Sequence, residues 1–352
     1  MKPRVYGGIA FAALLFLLVQ LGALALVPTF YAEGYQQVED PTDPANSLLY
    51  IGAILVATAL MLAAFKYDFD WAVRGVVVFT SGLLSWYVFA VLVPGVAALV
   101  LAAGVAVALL VHPEWYVIDT AGVLMGAGAA ALFGISFGVL PAIVLLSVLA
   151  VYDAISVYGT RHMLDLAEGV MDLRIPVVLV IPTSLSYSLL DTDFSGANEV
   201  HSADGDEETA ADGATADGGD HDEDDVADEL ANGEGNGSDT DTDPAADDES
   251  VRDAFFIGLG DAVMPTVMVA SAAFFSPAAS LGIASLSALN VPALTAMIGT
   301  LLGFFVLMWA VTKGRAHAGL PLLNGGAIGG YLLGSVIAGV PLVEAFGLAS
   351  YL

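Results

Sequence analysis

The sequence repeatedly presents apolar runs of about 20 residues separated by short polar stretches, which is typical of a chain that crosses a membrane several times. At a helical rise of about 1.5 Å per residue, each run can cross a hydrocarbon core roughly 30 Å thick. With 57% hydrophobic and 13% charged residues, the chain has too little polar surface for a soluble domain of 352 residues. We therefore predict an all-α membrane protein with nine transmembrane helices. The predicted spans cover about residues 7–29, 48–65, 72–93, 95–111, 116–136, 138–159, 254–275, 291–311 and 318–340.

The basic residues predict the direction of the spans. All nine Lys and Arg residues fall on one side if the N-terminus is cytoplasmic, as the positive-inside rule requires. The apolar run after Lys2 and Arg4 is longer than the core of a signal peptide, so we interpret it as a retained first helix rather than a cleaved leader. We expect the protein in the cell membrane with its C-terminus outside.

An acidic insert accounts for most of the net charge of -29. Residues 191–250 hold 23 of the 38 Asp and Glu residues and no Lys or Arg. Because this segment has few large apolar side chains, we predict that residues 183–250 form a disordered cytoplasmic loop. The loop divides the chain into residues 1–182, with spans one to six, and residues 251–352, with spans seven to nine. Calcium binding and protein docking are alternative roles for this loop.

Two aspartates lie inside predicted spans, where an ionisable group is costly and indicates a function. Asp153 lies 8 residues before Arg161, and Asp261 lies 9 residues after Arg252. These spacings correspond to roughly 12 and 13–14 Å along a helix. Spans six and seven run in opposite directions, so the two carboxyl groups would meet at one level if the spans are neighbours.

A carboxyl pair of this kind suits hydrolysis of a peptide bond. Two close carboxyl groups cannot both ionise cheaply, so the pair shares a proton over a broad pH range. The ionised Asp can take a proton from water that attacks the amide carbon, and the protonated Asp can hydrogen-bond the carbonyl oxygen. This chemistry requires no metal and no cofactor. The sequence does not assign the two roles to one Asp or the other.

Short motifs surround these aspartates. The first is Tyr152-Asp153 on span six. The second, on span seven, consists of Gly258, Leu259, Gly260 and Asp261. Glycines directly before the acid leave the backbone uncovered, which would let a substrate strand approach; helix packing is the alternative explanation. The third stretch opens span nine and consists of Ala318, Gly319, Leu320 and Pro321.

In this order the motifs resemble the YD, GxGD and PAL motifs of the presenilin and signal peptide peptidase family. The third departs from the family pattern, since Ala318 stands in place of a proline and Gly319 in place of an alanine. The resemblance implies a presenilin-like bundle of nine spans and an intramembrane aspartyl protease with Asp153 and Asp261 as its catalytic pair. It also implies that Ala318–Pro321 lies beside the aspartates and helps to position substrate. Pro321 lacks an N–H group and would leave backbone groups free at the helix start.

The expected partners are membrane-protein or signal-peptide substrates and the lipid bilayer, with no nucleic acid; the oligomeric state is left open.

Between the two catalytic spans, the run Val177–Ile181 is β-branched and bounded by prolines, which predicts a short strand. We hypothesise that it offers an edge to which an unwound substrate adds as a strand; an interfacial packing segment is the alternative.

The sequence is also compatible with three other functions. An ion-coupled transporter or channel could use the same acids, although no inverted repeat is visible. Prepilin peptidases also carry a GxGD motif but usually have fewer spans, and a non-catalytic scaffold would not need both acids.

Asp119, near the start of span five, is expected close to the headgroups in a structural or interfacial role.

Overall fold

The computed structural model describes residues 3–67, 69–159, 176–182, 184, 187–190, 254–313 and 318–348. The described helices are α1 (Pro3–Ala32), α2 (Ala45–Lys66), α3 (Asp70–Leu92), α4 (Val96–Val111), α5 (Trp115–Ser136), α6 (Val139–Gly159), α7 (Leu259–Phe275), α8 (Val291–Val311), α9 (Gly319–Ile337) and α10 (Leu342–Ala345). The strands are β1 (Val178–Pro182) and β2 (Ala254–Gly258), and a short 3-10 helix covers Ala284–Leu286.

The helical membrane architecture is confirmed. Within the described residues, seven helices are long and apolar enough to span a membrane, namely α1, α2, α3, α5, α6, α8 and α9. The apolar helices α4 and α7 occupy the fourth and seventh predicted spans, but they are shorter, with 16 and 17 residues. Most of the predicted acidic loop, residues 183–250, lies outside the described residues, so the loop and the domain boundaries beside it stay predictions.

The structure corrects the start of the seventh span. Residues 254–258, predicted as helix, form β2, and the helix begins only at Leu259. β2 pairs antiparallel with β1, with Val180 opposite Phe256 and Val178 opposite Gly258. This pairing confirms the short strand predicted between the prolines at 176 and 182, and it adds a small sheet to a fold predicted to be all helical.

Glycines allow the closest helix contact, between α8 and α9. A Cβ atom at Gly330 would meet the carbonyl oxygen of Thr295, and one at Gly326 would meet that of Gly299. In lipid, where apolar burial does not drive helices together, such close backbone approach supplies the van der Waals contact that holds them. The small residues on span nine therefore pack α9 closely against α8.

Helix α5 lies at the centre of the bundle and packs against α1, α3 and α7. Gly134 on α5 lies directly against Ala270 of α7, where an added Cβ would clash with the Ala270 methyl group. Gly126 faces Leu259 and Val263 of α7, each with a side-chain carbon 3.2 Å from the position of a Cβ. These glycines therefore bring α5 against the helix that carries Asp261.

Two acids at the start of α5 bind the chain that contains β1. Asp119 is only 3% exposed, and its Oδ1 accepts a hydrogen bond of 2.8 Å from the Val180 N–H. Glu114, directly before α5, accepts hydrogen bonds from the Ser188 hydroxyl at 2.7 Å and from the Leu189 N–H at 3.0 Å. The strand therefore covers this part of α5, while the position of Asp119 near the headgroups stays a prediction.

We predict that Gly330→Ala destabilises the bundle by about 1–3 kcal/mol, because the added methyl forces α8 and α9 apart. The matched control is Gly329→Ala on the same helix, where a Cβ would meet nothing within 4 Å. The control should be neutral or stabilising by up to about 1 kcal/mol, since Ala favours the helix over Gly. Thermal unfolding in detergent measures both; equal midpoints for the two variants would contradict the close contact.

Glu114 gives a pH-dependent prediction. Burial alone would raise the pKa of its carboxyl, but the hydrogen bonds from Ser188 and Leu189 outweigh burial and hold the pKa below the ordinary value of 4.5. A lowered folded-state pKa stabilises the protein above the unfolded pKa, and this stabilisation is lost as pH falls through the folded pKa. We expect Glu114→Ala to cost about 1.5–3 kcal/mol at pH 7. Its unfolding midpoint should approach that of the wild type below pH 4; a difference that grows in acid would contradict this assignment.

Candidate active site

Asp153 and Asp261 line one cavity of about 300 Å³ at the end of the bundle where α1 and α9 begin and α6 ends. Asp153 lies six residues before the end of α6 and is 7% exposed, whereas Asp261 lies in the first turn of α7 and is half-buried. The two carboxyl groups are close enough to interact electrostatically. The antiparallel course of α6 and α7 therefore brings both acids to one level.

The strand pair fixes where α7 begins and so where Asp261 lies. The N–H group of Leu259, the first residue of α7, donates to the Val177 carbonyl at 2.7 Å. The first N–H groups of a helix lack partners within the helix, and here the carbonyl just before β1 serves as the partner of one of them. Asp261 follows two residues later, so its backbone is held by the junction of sheet and helix.

The N-terminus of α9 touches both acids. The Leu320 N–H donates to Asp153 Oδ2 at 3.0 Å. A Cβ at Gly319 would lie 3.4 Å from Asp261 Oδ2. A single turn of backbone thus binds one carboxyl group directly and packs against the other.

The other residues of the third motif shape this turn. Ala318 precedes the helix with φ -64° and ψ 124°, and its N–H lies 3.4 Å from the Tyr158 hydroxyl, which accepts from it. A proline at this position could not make that contact. Pro321 lies in the first turn of α9, where a missing N–H costs no helix hydrogen bond.

The structure separates the remaining predicted site residues into two groups. Gly258 lines the cavity, with the position of its Cβ 3.8 Å from Asp261 Oδ2. Gly260 is exposed, and a Cβ there would meet nothing within 4 Å. Leu259 is buried, and Tyr152 is 48% exposed. Among the described residues, the cavity lining includes neither Leu259 nor Tyr152, nor Gly260.

The walls of the cavity are mostly apolar and come from elements that the sequence did not connect with the aspartates. Helix α1 contributes Val5, Gly8, Ile9 and Ala12, and α8 contributes Leu307, Met308 and Val311. An apolar wall lowers the local dielectric and makes each interaction with the carboxyl groups stronger than in water. No motif marks these residues, because their role depends on helix neighbours rather than on their own chemistry.

This arrangement can support proton transfer and water activation between two carboxyl groups. The cavity is large enough to hold water and part of an extended peptide, and its polar groups converge on the two aspartates. Within the described residues, three or more His, Asp or Glu side chains do not cluster as a metal site would require.

Known proteins provide independent comparisons. The family model described as signal-peptide peptidase, presenilin aspartyl protease matches residues 13–340. A search of curated proteins finds no match. Two solved structures described as presenilin family intramembrane aspartate proteases are similar in fold. The one in space group C222 is 28% identical, with a TM-score of 0.57, and the alignment covers 94% of this chain and 99% of that chain. The one in space group P2 is 30% identical, with a TM-score of 0.52, and the alignment covers 92% of this chain and 96% of that chain.

The family match covers nearly the whole chain and includes both aspartates and the start of α9. The structural matches cover the same helices at both ends of the chain and extend over almost the full length of each solved protein. The chain therefore belongs to the signal-peptide peptidase and presenilin aspartyl protease family and is an intramembrane aspartyl protease.

Proposed function

We propose that Asp153 and Asp261 are the catalytic pair of a GxGD-type aspartic endopeptidase. The observation that supports this proposal is their common cavity, in which the start of α9 reaches both carboxyl groups. One carboxylate takes a proton from a water molecule, the water oxygen attacks the amide carbon, and the other carboxyl group donates a hydrogen bond to the carbonyl oxygen. Collapse of the tetrahedral intermediate then breaks the C–N bond, and the amine leaves with a proton from the pair.

The backbone at the start of α9 supports this chemistry by fixing Asp153. The N–H group of Leu320 holds its Oδ2, and Ala318, Gly319 and Pro321 set the course of the turn. Gly258 keeps the approach to Asp261 free of a side chain, while Leu259 anchors the first turn of α7. Tyr152 and Gly260 take supporting roles outside the cavity lining.

The substrates are proposed to be transmembrane helices of membrane proteins or remnants of signal peptides. The apolar walls from α1 and α8 suit an apolar peptide, and a helical substrate must unwind before its amides become accessible to water. The hypothesis that such a substrate adds to β1 needs correction at Val180, whose N–H is already bound by Asp119. We further propose that the cavity opens toward the cytoplasm, with the N-terminus and acidic loop on that side, the C-terminus outside, and the protein in the cell membrane.

The transporter alternative has no support from the family or the structural relatives, which are proteases. The prepilin peptidase alternative is likewise not favoured, because the match extends to residue 340 and includes α9.

We predict that Asp153→Asn and Asp261→Asn each lower the cleavage rate of a model transmembrane peptide by at least about a thousandfold, because neither variant can share a proton between two carboxyl groups. Glu39→Gln is the matched control, since Glu39 is an exposed acid in the connection after α1. A transition-state mimic with a hydroxyl in place of the carbonyl should bind the wild type and the control but lose affinity for both Asp variants. Cleavage retained in either Asp variant would rule out the dyad.

A second prediction concerns the space beside Asp261. Gly319→Ala should retain cleavage within about fivefold of the wild type, because its methyl group would make ordinary contacts of 3.4 Å with Asp261 Oδ2 and Leu307 Cδ2. Gly319→Leu should abolish cleavage, because the larger side chain must enter the cavity that both acids share. Gly325→Leu controls for leucine on the same helix, since a Cβ there would meet nothing within 4 Å. Normal cleavage by Gly319→Leu would place the substrate elsewhere.

A further inference from the structure

Asp119 is a buried acid to which the proposed mechanism assigns no role. Its side chain is 3% exposed, and it lies on the first turns of α5, a helix that contributes nothing to the described cavity lining. A buried carboxyl group in a membrane protein is costly and calls for a specific reason. The partner that the structure gives it is the backbone of β1, through the 2.8 Å hydrogen bond from the Val180 N–H to Oδ1.

That hydrogen bond lies on the edge of β1 that faces away from β2. Leu259 donates to the Val177 carbonyl, and residues alternate along an antiparallel strand, so Leu179 and Ile181 direct their backbone groups toward β2. Val180 directs its N–H the opposite way, toward α5. Asp119 therefore satisfies a buried edge donor that the ladder itself cannot reach.

The surface of α5 beside Asp119 is shaped to receive β1. Gly122, one turn further along, leaves the space that Leu179 fills, since a Cβ at Gly122 would lie 2.9 Å from Leu179 Cδ2 and 3.6 Å from the Pro176 carbonyl oxygen. Gly126, another turn along, likewise leaves space for Leu259, since a Cβ at Gly126 would lie 3.2 Å from Leu259 Cδ1. One face of α5 thus contacts β1 and the first residue of α7.

These contacts form a continuous connection to Asp261. Asp119 holds β1 at Val180, β1 pairs with β2, and the Val177 carbonyl holds the Leu259 N–H two residues before Asp261. A displacement of about 1 Å at a reacting group can lower a rate by roughly a hundredfold. The position of β1 therefore bears directly on the geometry of the carboxyl pair.

We infer that Asp119 is a positioning residue for the protease reaction, which acts as a hydrogen-bond acceptor that fixes β1 and, through it, Asp261. The inference rests on the proposed catalytic role of Asp153 and Asp261. One acceptor oxygen is sufficient for this role, because among the described residues Asp119 Oδ2 has no hydrogen-bond partner. Asparagine, which keeps an acceptor oxygen and has the same shape, should therefore replace it.

The test compares Asp119→Asn, Asp119→Leu and the control Thr120→Val in cleavage of a model transmembrane peptide. Thr120 is the next residue on α5 and is exposed. Its hydroxyl donates a hydrogen bond of 2.7 Å to the Tyr116 carbonyl of the same helix. We expect Asp119→Leu to lower kcat at least about tenfold with KM within about threefold, because a shift of β1 displaces Asp261 while the apolar walls from α1 and α8 stay in place. Asp119→Asn should keep kcat within about threefold of the wild type, and Thr120→Val should match the wild type.

Val180→Pro tests the same contact from the other partner, because proline removes the N–H that Asp119 binds and leaves the β2-facing groups of β1 in place. Val180→Pro should reproduce the fall in kcat. If Asp119→Leu does not fold, Val180→Pro alone tests the positioning role. Thermal unfolding in detergent shows which variants are folded. Wild-type kcat in folded Asp119→Leu or folded Val180→Pro would overturn the inference. An equal loss in Asp119→Asn and Asp119→Leu would also overturn it, because charge rather than the acceptor would then be required.

Asp261→Asn in the same assay tests the catalytic pair separately from the positioning role of Asp119. An inactive Asp261→Asn together with a fully active Asp119→Leu would leave the catalytic pair standing and remove only the positioning role. An active Asp261→Asn would remove the catalytic pair itself.

Discussion

The need to satisfy buried polar groups where lipid replaces water determines how this protein is built. In a hydrocarbon surrounding, every backbone N–H and every carboxyl group requires a partner from the protein. The described structure meets this need at the start of α9, where the Leu320 N–H binds Asp153, and at the start of α7, where the Leu259 N–H binds the Val177 carbonyl just before β1. Helix ends, which leave donors without partners, thus become the places where functional groups are held.

Irregular backbone is stable inside a membrane protein only where other protein covers it or where it lines a cavity. Both conditions hold around the site. The junction of β2 and α7 lines the cavity at Gly258, and its opposite side is covered by β1 and α5. The departure from helix at residues 254–258 therefore has a physical reason: it shortens α7 to 17 residues and places Asp261 in a first turn.

Hydropathy and charge predicted the helices well, because each span is a property of one continuous segment. The strand at β1 was predictable for the same reason, from its β-branched residues and flanking prolines. The switch from strand to helix at Leu259 was not, since the residues on both sides of it are mostly apolar and only the pairing with β1 distinguishes Ala254–Gly258 from the helix that follows. The roles of α1 and α8 in the cavity depend on helix neighbours, which no local pattern encodes.

Asp119 shows what position along a helix does not reveal. An acid within an apolar span indicated function for Asp153 and Asp261, and the same rule applies to Asp119. Its position near the start of span five did not predict that β1 folds back over α5 and buries it. What separates this acid from the pair is its partner: Asp153 and Asp261 share a cavity that water and a peptide can enter, while Asp119 faces a strand. A position within an apolar span thus marks all three carboxyl groups, and only their neighbours distinguish the pair that we propose to react from the acid that we propose to hold the backbone in place.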